Sequence, residues 1–591
     1  MKCYIKDYPR PQFVRSQWEN FNGTWDFAFD DSNVGETEKW YQFFPKVLQI
    51  QVPFSYETKA GGIHDETRHD YVWYHRTFEV DSARLQQNRY VIHFEGSDYI
   101  TKVWVNGQLA GSHQGGYARF SFDITDLLMD GENQLTVKVE DSFDLHQPRG
   151  TQRWKEENYG VFYTQTTGIW KTVWSEYVPT IHIVDVKMTP NIRYSCLELE
   201  ANIAAPDTCM DGRLSLETSI FYQGHLVNRT CTVLTDVYSK HIHTRLDLLS
   251  AASDIVEPLV HVWSPESPSL YDISFRILEN ESPIDAVDSY FAMREITIEG
   301  DQILLNGSPL YQRLLLDQGY WTDTLLTPPS EEALIEDIDK IQLMGFNGVR
   351  KHQKVEDERF LYWCDVKGLL VWSEMAAAFL FSEEAVANFT REWLEIVKQN
   401  YNHPCIITWT PFNESWGIPH IMKRRDQQHF TQAIYHLTKS IDPYRPVITN
   451  DGWEHTISDI ITIHDYGQNS AKKGYYLEHK DQILSSLRTP YGMRNVLSDG
   501  FSYQGQPVII SECGGMALRS EALGVGYGDR ITAEELVERF AHMVKAIREV
   551  PYICGYCYTQ VTDVQQEING FMDMDRNFKI DPQAIRRINM L

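Results

Sequence analysis

The sequence predicts three domains in series, two β-sandwiches followed by a (β/α)8 barrel, and three observations carry that prediction. The first 290 or so residues read as short, often alternating strands separated by turn signals. From about residue 291 the hydrophobic period becomes helical, and short apolar runs alternate with the helices. Two of those runs end in an acid, in Thr408-Trp-Thr-Pro-Phe-Asn-Glu-Ser-Trp-Gly417 and Pro507-Val-Ile-Ile-Ser-Glu-Cys-Gly-Gly515, and a barrel keeps its working residues at the carboxyl ends of its strands.

In the first segment, 1–180, the strands are Trp25–Phe29, Val72–Val80, Tyr90–Glu95, Lys102–Val105 and Gln134–Val139, with Asn106-Gly107 and Asp130-Gly131 as turns. Strands continue over 181–290 in a segment of immunoglobulin-like size. In the third segment, 291–591, Leu310 to Leu316 is the first barrel strand. Ser330 followed by two glutamates opens a helix, with Leu334, Ile338 and Ile341 at helical spacing and Gly345 as its stop. The strand Gly348–Arg350, a helix ending near Gly368, the strand Leu370–Trp372 and a helix from Ser382 to about Asn400 follow. After the Glu414 strand come a helix through Phe430, Ile434 and Leu437, then the runs Val447–Asn450, Ile460–His464 and Val508–Ile510. Thr532 and Glu535 form a capping box that opens a helix to about Glu549, and Ile553–Tyr558 is the last strand. That makes about eight strands with intervening helices. By this count Glu414 and Glu512 lie on the fourth and seventh, across the barrel from each other.

Composition narrows the partners. With 54 Lys+Arg against 82 Asp+Glu the formal charge is −28, which disfavours nucleic acid and anionic membrane. Aromatics form 13% of the chain, with 16 Trp and 32 Tyr, a content that suits β structure and sites that stack on sugar rings. Nine cysteines without framework spacing predict reduced thiols, and the Cys554/Cys557 pair sits in a strand-like run without a second ligand pair. The N-terminus lacks an apolar signal core, and no stretch approaches the ~18 apolar residues of a membrane span. The expectation is a cytoplasmic protein with no metal or other cofactor and no membrane or nucleic-acid partner.

Cleaving a glycosidic bond takes a protonated carboxyl to assist the leaving oxygen and a second carboxylate to attack or stabilise the anomeric carbon. Two glutamates at opposed strand ends meet that need. The pair Asn413-Glu414 with Ser-Trp-Gly after it, Ser511-Glu512 with Gly-Gly after Cys513, and the two sandwiches in front resemble glycoside hydrolase family 2, whose members include β-galactosidases, β-glucuronidases and β-mannosidases. The resemblance covers nearly the whole chain and implies a jelly-roll sandwich of sugar-binding type at the front.

It also implies roles. Glu414 matches the acid/base and Glu512 the nucleophile of a retaining double displacement, with their carboxyls about 5–5.5 Å apart. Asn413 matches a residue that hydrogen-bonds the sugar beside the anomeric carbon. Tyr466 matches a tyrosine that orients the nucleophile, and Arg350 an arginine that keeps it ionised. His352, Glu374, His464 and Trp416 lie on the same rim as candidates to touch the sugar, and Asp563 and Asn569 stand beyond the eighth strand, where family members shape the glycone pocket. The loop Arg149–Trp154 of the first sandwich is placed to reach the barrel mouth.

Three departures bear on the substrate. The β-glucuronidases of the family carry an Asn-x-Lys pair after the eighth strand for the sugar carboxylate. Aligned on Gly570, Glu567 and Asn569 stand there in this chain, and an anionic Glu567 repels a uronate. The large bacterial β-galactosidases place Mg²⁺ ligands shortly after the third strand, where this chain has Ala376-Ala-Ala-Phe-Leu380. They also carry an Asp ahead of the Gly-Ile motif of the first domain, where Phe162-Tyr163 stand here before Gly168-Ile169. The resulting expectation is a retaining exo-β-glycosidase of a neutral sugar, β-galactosidase-like, with β-glucuronidase, β-mannosidase and α-L-arabinopyranosidase as alternatives. A carbohydrate-binding protein without catalysis, and a barrel enzyme using one Glu as a base on a non-sugar substrate, are the competing classes. Assembly into a homo-oligomer is compatible with the family.

Overall fold

The computed structural model describes residues 4–45, 48–248, 260–467, 472–485, 494–519 and 524–591. Cys3 and the first residues of the N-terminus lie outside them; the other eight cysteines are free thiols.

The first sandwich packs a six-stranded sheet, in the order Leu48–Val52, Gly23–Phe29, Tyr71–Val80, Gly131–Glu140, Ile100–Val105, Gln108–Gln114, on a four-stranded sheet. Alternation decides which side chains are inside: Leu135, Val137 and Val139 of one strand join Trp25, Tyr74, Ile92 and Phe94 in its core. Asn106 and Gly107, both at positive φ, make the tight turn between two of these strands. The second sandwich has a three-stranded sheet (His182–Asn191, Cys196–Ala204, His241–Asp247) and a four-stranded one (His225–Leu234, Leu214–Tyr222, Tyr271–Glu279, Ser282–Phe291). The buried Arg15 guanidinium ties the two sandwiches, donating to Asp285 at 3.0 and 3.1 Å, to Glu176 at 3.4 Å and to the Ile183 carbonyl at 2.6 Å.

In the barrel seven parallel strands run in the order Ile406–Thr410, Leu370–Glu374, Gly348–Lys351, Gln312–Asp317, Ile553–Thr559, Val508–Gly514, Ile461–Asp465. Most of their residues are buried on both faces, as continuous apolar runs between helices must be. The run Val447–Asn450, counted from sequence as a strand, forms only isolated bridges, Trp409 to Val447 and Asn413 to Asp451. Two of its backbone donors are taken by side chains, the Val447 N–H by Asp459 and the Thr449 N–H by Ser458, while the Ile448 N–H donates to the Trp409 carbonyl at 2.9 Å. The segment still fills the gap, since the Pro446 carbonyl accepts from Trp409 and the Gly452 carbonyl from His464.

The helix signals fall where the chemistry puts them. Ser330 caps Glu331–Leu343, Ser382 caps Glu383–Gln399, and Gly368, at φ +77°, ends Glu358–Lys367. Thr532 and Glu535 form a reciprocal capping box at the start of Ala533–Arg548. None of the described helices is long and apolar enough to cross a membrane.

The first sandwich reaches the barrel mouth. Arg149 and Gly150 donate to the Ala377 carbonyl at 2.9 and 3.1 Å, and Gln565 and Gln566 beyond the last strand bond Asn158, Thr164, Gly160 and Phe162. Gly150 is obligatory: at φ +62°, a Cβ there would lie 2.3 Å from the Gln353 carbonyl oxygen.

Candidate active site

Arg350, fully buried at the end of its strand, organises the carboxyl rim of the barrel. Its Nε donates to Glu374 at 2.7 Å, Nη1 meets Glu512 at 2.7 Å and Asp451 at 2.9 Å, and Nη2 donates to the Asn413 amide oxygen at 2.6 Å. One planar fork thus serves three carboxylates from three elements, which an ammonium point charge cannot do.

Glu512 receives two further groups. The Tyr466 hydroxyl donates to its Oε2, and His464 Nδ1 stands 3.5 Å from the same oxygen. Burial alone would raise the Glu512 carboxyl, but the charges of His464, Arg350 and His352 and the Tyr466 bond hold it below its ordinary value. Glu512 is therefore ionised, and burial beside it keeps the Tyr466 phenol protonated.

His464 links the two strand-end glutamates. Its Nδ1 lies 2.7 Å from Glu414 Oε1 and its Nε2 3.0 Å from Asp451 Oδ2. Burial would discharge the ring, but Glu512 and Asp451, with bonds to Asp451 and Glu414, push it up to about 10. A histidine whose ordinary value is about 6.5 and whose folded value is about 10 contributes stability that is complete below about pH 6.5 and lost as pH rises through about 10. Denaturant midpoints measured between those limits should fall in the wild type and fall less in His464→Asn. The close fit needs glycine: Gly452 sits at φ +99°, and a Cβ there would be 2.6 Å from His464 Nδ1. Gly452→Ala should cost about 2 kcal/mol or more and push the imidazole off Glu414, read as a lower melting temperature together with lost turnover.

Glu414 leaves its strand on a turn rather than in the ladder. Glu414 and Ser415 both have positive φ, 50° and 60°, and the Glu414 N–H donates to the Asp451 carbonyl at 3.0 Å while the Trp416 N–H closes back on the Asn413 carbonyl at 2.8 Å. The turn leaves the Glu414 side chain 22% exposed, against 6% for Glu512. One atom each of Glu414, His464 and Glu512 lie within 4.8 Å of one another. This is the trio on the rim with metal-ligand spacing, although His464 Nδ1 is already engaged with Glu414.

A cavity of about 340 Å³ opens over this cluster, lined by His352, Asn413, Glu414, Trp416, Tyr466 and Glu512, by Leu316, Gln318, Tyr527, Thr559 and Glu567, and by Val161 of the first sandwich. Two larger clefts, of about 1470 and 1520 Å³, adjoin the second sandwich away from these acids. Of the residues singled out from sequence, Asn413, Tyr466, His352 and Trp416 line the cavity, while Arg350 and His464 lie in the layer beneath.

Three expected sugar contacts are placed differently. Glu374 is fully buried: Oε2 accepts from Arg350, and Oε1 accepts from the Gln353 N–H at 3.0 Å and its side-chain amide at 2.9 Å, with His352 Nδ1 3.0 Å away. Both oxygens are occupied, so it braces Arg350 and His352. Asp563 accepts from the Gly570 N–H and from Lys579, both at 2.8 Å, and is a loop anchor off the cavity wall. Asn569, 0% exposed, accepts from Gln560 and donates to Glu567 at 3.0 Å. It acts through Glu567, which does face the cavity.

Glu567 is completed across the domain boundary. Its Oε2 accepts from the Tyr163 hydroxyl and from Gln318 at 3.0 Å, and Gln318 also donates to Tyr163 at 2.8 Å. Burial raises the Glu567 carboxyl against these bonds.

Comparison with known proteins accounts for nearly all of the chain. Residues 18–173 match the family description "Glycosyl hydrolases family 2, sugar binding domain", residues 181–294 match "Glycosyl hydrolases family 2", and residues 296–542 match "Glycosyl hydrolases family 2, TIM barrel domain". The chain belongs to glycosyl hydrolase family 2. This family 2 protein is 26% identical over 462 residues to a putative β-glucuronidase of Formosa agariphila, covering 74% of this chain and 51% of that one. It is 26% identical over 481 residues to a β-galactosidase of Thermoanaerobacter pseudethanolicus, covering 79% and 59%. The chain thus spans little more than half the length of these curated relatives. A solved β-glucuronidase of Bifidobacterium dentium shares the fold at a TM-score of 0.79, with 18% identity over 99% of this chain and 98% of that one.

Proposed function

We propose that this family 2 protein is a retaining exo-β-glycosidase acting on a terminal neutral sugar, β-galactosidase-like. The observation that carries the proposal is the approach of a Glu414 oxygen and a Glu512 oxygen to within 4.8 Å. Retaining enzymes hold their carboxyls about 5–5.5 Å apart, whereas inverting ones leave about 6.5–9.5 Å for a water. In the first step a Glu512 oxygen bonds to the anomeric carbon as the glycosidic C–O bond breaks, and the Glu414 proton passes to the departing oxygen. In the second, Glu414 takes a proton from water, the hydroxide oxygen bonds to the anomeric carbon, and Glu512 leaves as carboxylate. Arg350 and Tyr466 hold Glu512 as the anion that attacks. Asn413, whose oxygen is taken by Arg350, presents its amide N–H to the sugar.

The neutral glycone rests on the cavity wall. Among the described residues that line it there is no Lys or Arg, and there is one further acid, Glu567. Burial raises the Glu567 carboxyl, while three donors aimed at it, from Tyr163, Gln318 and Asn569, favour its anion; as the anion it accepts from sugar hydroxyls and repels a uronate. Val161 of the first sandwich walls the cavity on one side, an arrangement that suits a terminal residue. β-Glucuronidase is the second reading, favoured by the names of several relatives, and β-mannosidase and α-L-arabinopyranosidase remain within the same chemistry. Domain limits of 1–180, 181–290 and 291–591 belong to the same proposal, supported by the sheets of the two sandwiches, which separate between Pro179 and His182 and end at Phe291, one residue past the second limit.

Nitrophenyl β-galactoside, β-glucoside, β-mannoside, α-L-arabinopyranoside and β-glucuronide, assayed side by side, test the reading. Release from a neutral glycoside and none from the glucuronide supports it. Release from the glucuronide alone replaces it with the second reading, and release from none of them contradicts both.

A further inference from the structure

At the rim of the cavity lies a group of aromatic rings that the chemistry above does not use. Trp154, Tyr159 and Phe162 come from the loop of the first sandwich, Phe379 follows the third barrel strand, and Trp416 stands two residues after Glu414. Ring centroids are 4.4 Å apart for Trp154 and Phe162, 4.2 Å for Trp154 and Phe379, 5.3 Å for Phe162 and Phe379, 5.4 Å for Phe379 and Trp416, and 5.7 Å for Phe162 and Trp416. Tyr159 extends the group, 5.1 Å from Phe162. All five are only partly buried, whereas Trp25, Trp170 and Trp174 of the same sandwich are enclosed. Rings that served only to glue the loop to the barrel would be covered in the same way.

Position says what the patch is for. The acid that protonates a leaving oxygen lies beside that oxygen, so the aglycone departs on the side of Glu414. Trp416 belongs to the same turn as Glu414: its N–H closes that turn onto the Asn413 carbonyl, and its ring lines the cavity. From Trp416 the rings run in contact, without a break, to the sandwich loop, whose Val161 lines the same cavity.

We propose that these rings are the aglycone site and that it takes a flat, weakly polar ring, either an aryl group or the C–H face of a second sugar. The inference rests on Glu414 being the acid/base. Ring faces stack on either kind of partner, and a contiguous, partly exposed apolar patch continuous with a cavity is suited to bind one. The first sandwich thereby supplies substrate selection as well as the Tyr163 bond to Glu567.

The test compares three substrates of one glycone: the nitrophenyl glycoside, a disaccharide and the glycosyl fluoride, which has no ring to bind. In Trp154→Ala and in Phe379→Ala, kcat/KM for at least one ring aglycone should fall by about tenfold or more, mainly through KM, while the fluoride stays within about twofold. A parallel fall for the fluoride, or no fall for either ring, overturns the inference; no turnover of the fluoride by the wild type overturns the glycosidase reading itself. A second measurement needs no variant. Benzyl alcohol or methyl β-glucoside should capture the glycosyl-enzyme of the wild type with saturation, and methanol without it. The acceptor that saturates tells an aryl site from a sugar site, and linear dependence on both contradicts the site.

Discussion

Glu512→Ala is expected to lower turnover by on the order of 10⁵-fold, because a group that acts in a covalent unit costs about as much as the whole unit when removed. Azide should then restore part of it. The truncation leaves an anion-sized space beside the Arg350 fork and the Tyr466 hydroxyl, where a small anion attacks from the face Glu512 would have used. With an activated aryl glycoside the product is the inverted, α-configured glycosyl azide. Glu414→Ala should respond in the opposite sense: azide intercepts the glycosyl-enzyme and yields the retained, β-configured azide. An inverted azide from Glu414→Ala would mean that the two roles are exchanged.

Arg350→Met is expected to cost both fold and function. It leaves Glu374, Asp451 and Glu512 facing one another, with the two histidines as their close partners, His464 beside Asp451 and Glu512 and His352 beside Glu374. Removing one member of a buried ionic group costs about 3–5 kcal/mol, which corresponds to a fall in melting temperature on the order of 10 °C. Without the arginine, Glu512 also loses a charge that holds it ionised and Asn413 loses the bond that orients its amide. Arg350→Lys should recover part of the melting temperature and little of the turnover, since one ammonium cannot reproduce three directed bonds. Calorimetry with steady-state kinetics on the two variants separates charge from geometry, and equal turnover in Arg350→Lys and the wild type would refute the fork.

The central pair was legible because its signal is local. An apolar run ending in Asn413-Glu414 or Ser511-Glu512 announces a strand delivering an acid to a rim, and Ser330, Ser382 and the Thr532/Glu535 pair announce helix starts through bonds made within one turn. What stayed hidden depends on partners distant in sequence. Asp451 looks like a turn residue in Asn450-Asp451-Gly452, yet it is the acid that fixes His464 and shares Arg350. Tyr163 reads as an ordinary aromatic of the first sandwich, and only the docking of that loop on the barrel brings its hydroxyl to Glu567, 404 residues away. Glu374 shows the reverse. Its strand-end position matches that of an acid presented to substrate, but the Arg350, His352 and Gln353 side chains close over it. Strand periodicity reports that a residue reaches the rim, and it carries no information on which rim residues are then covered. Val447–Asn450 is an apolar run that bonds the neighbouring strand through Ile448 and Trp409 but extends to no full ladder, because the Asp459 and Ser458 side chains take the Val447 and Thr449 donors.

The stereochemistry of the first product tests the double displacement most directly. Proton NMR of an aryl β-glycoside during the first minutes of hydrolysis, before mutarotation mixes the anomers, resolves which hemiacetal is released. The Glu414 and Glu512 geometry predicts the β anomer first, with the α anomer growing in only by mutarotation. Initial release of the α anomer would contradict the account.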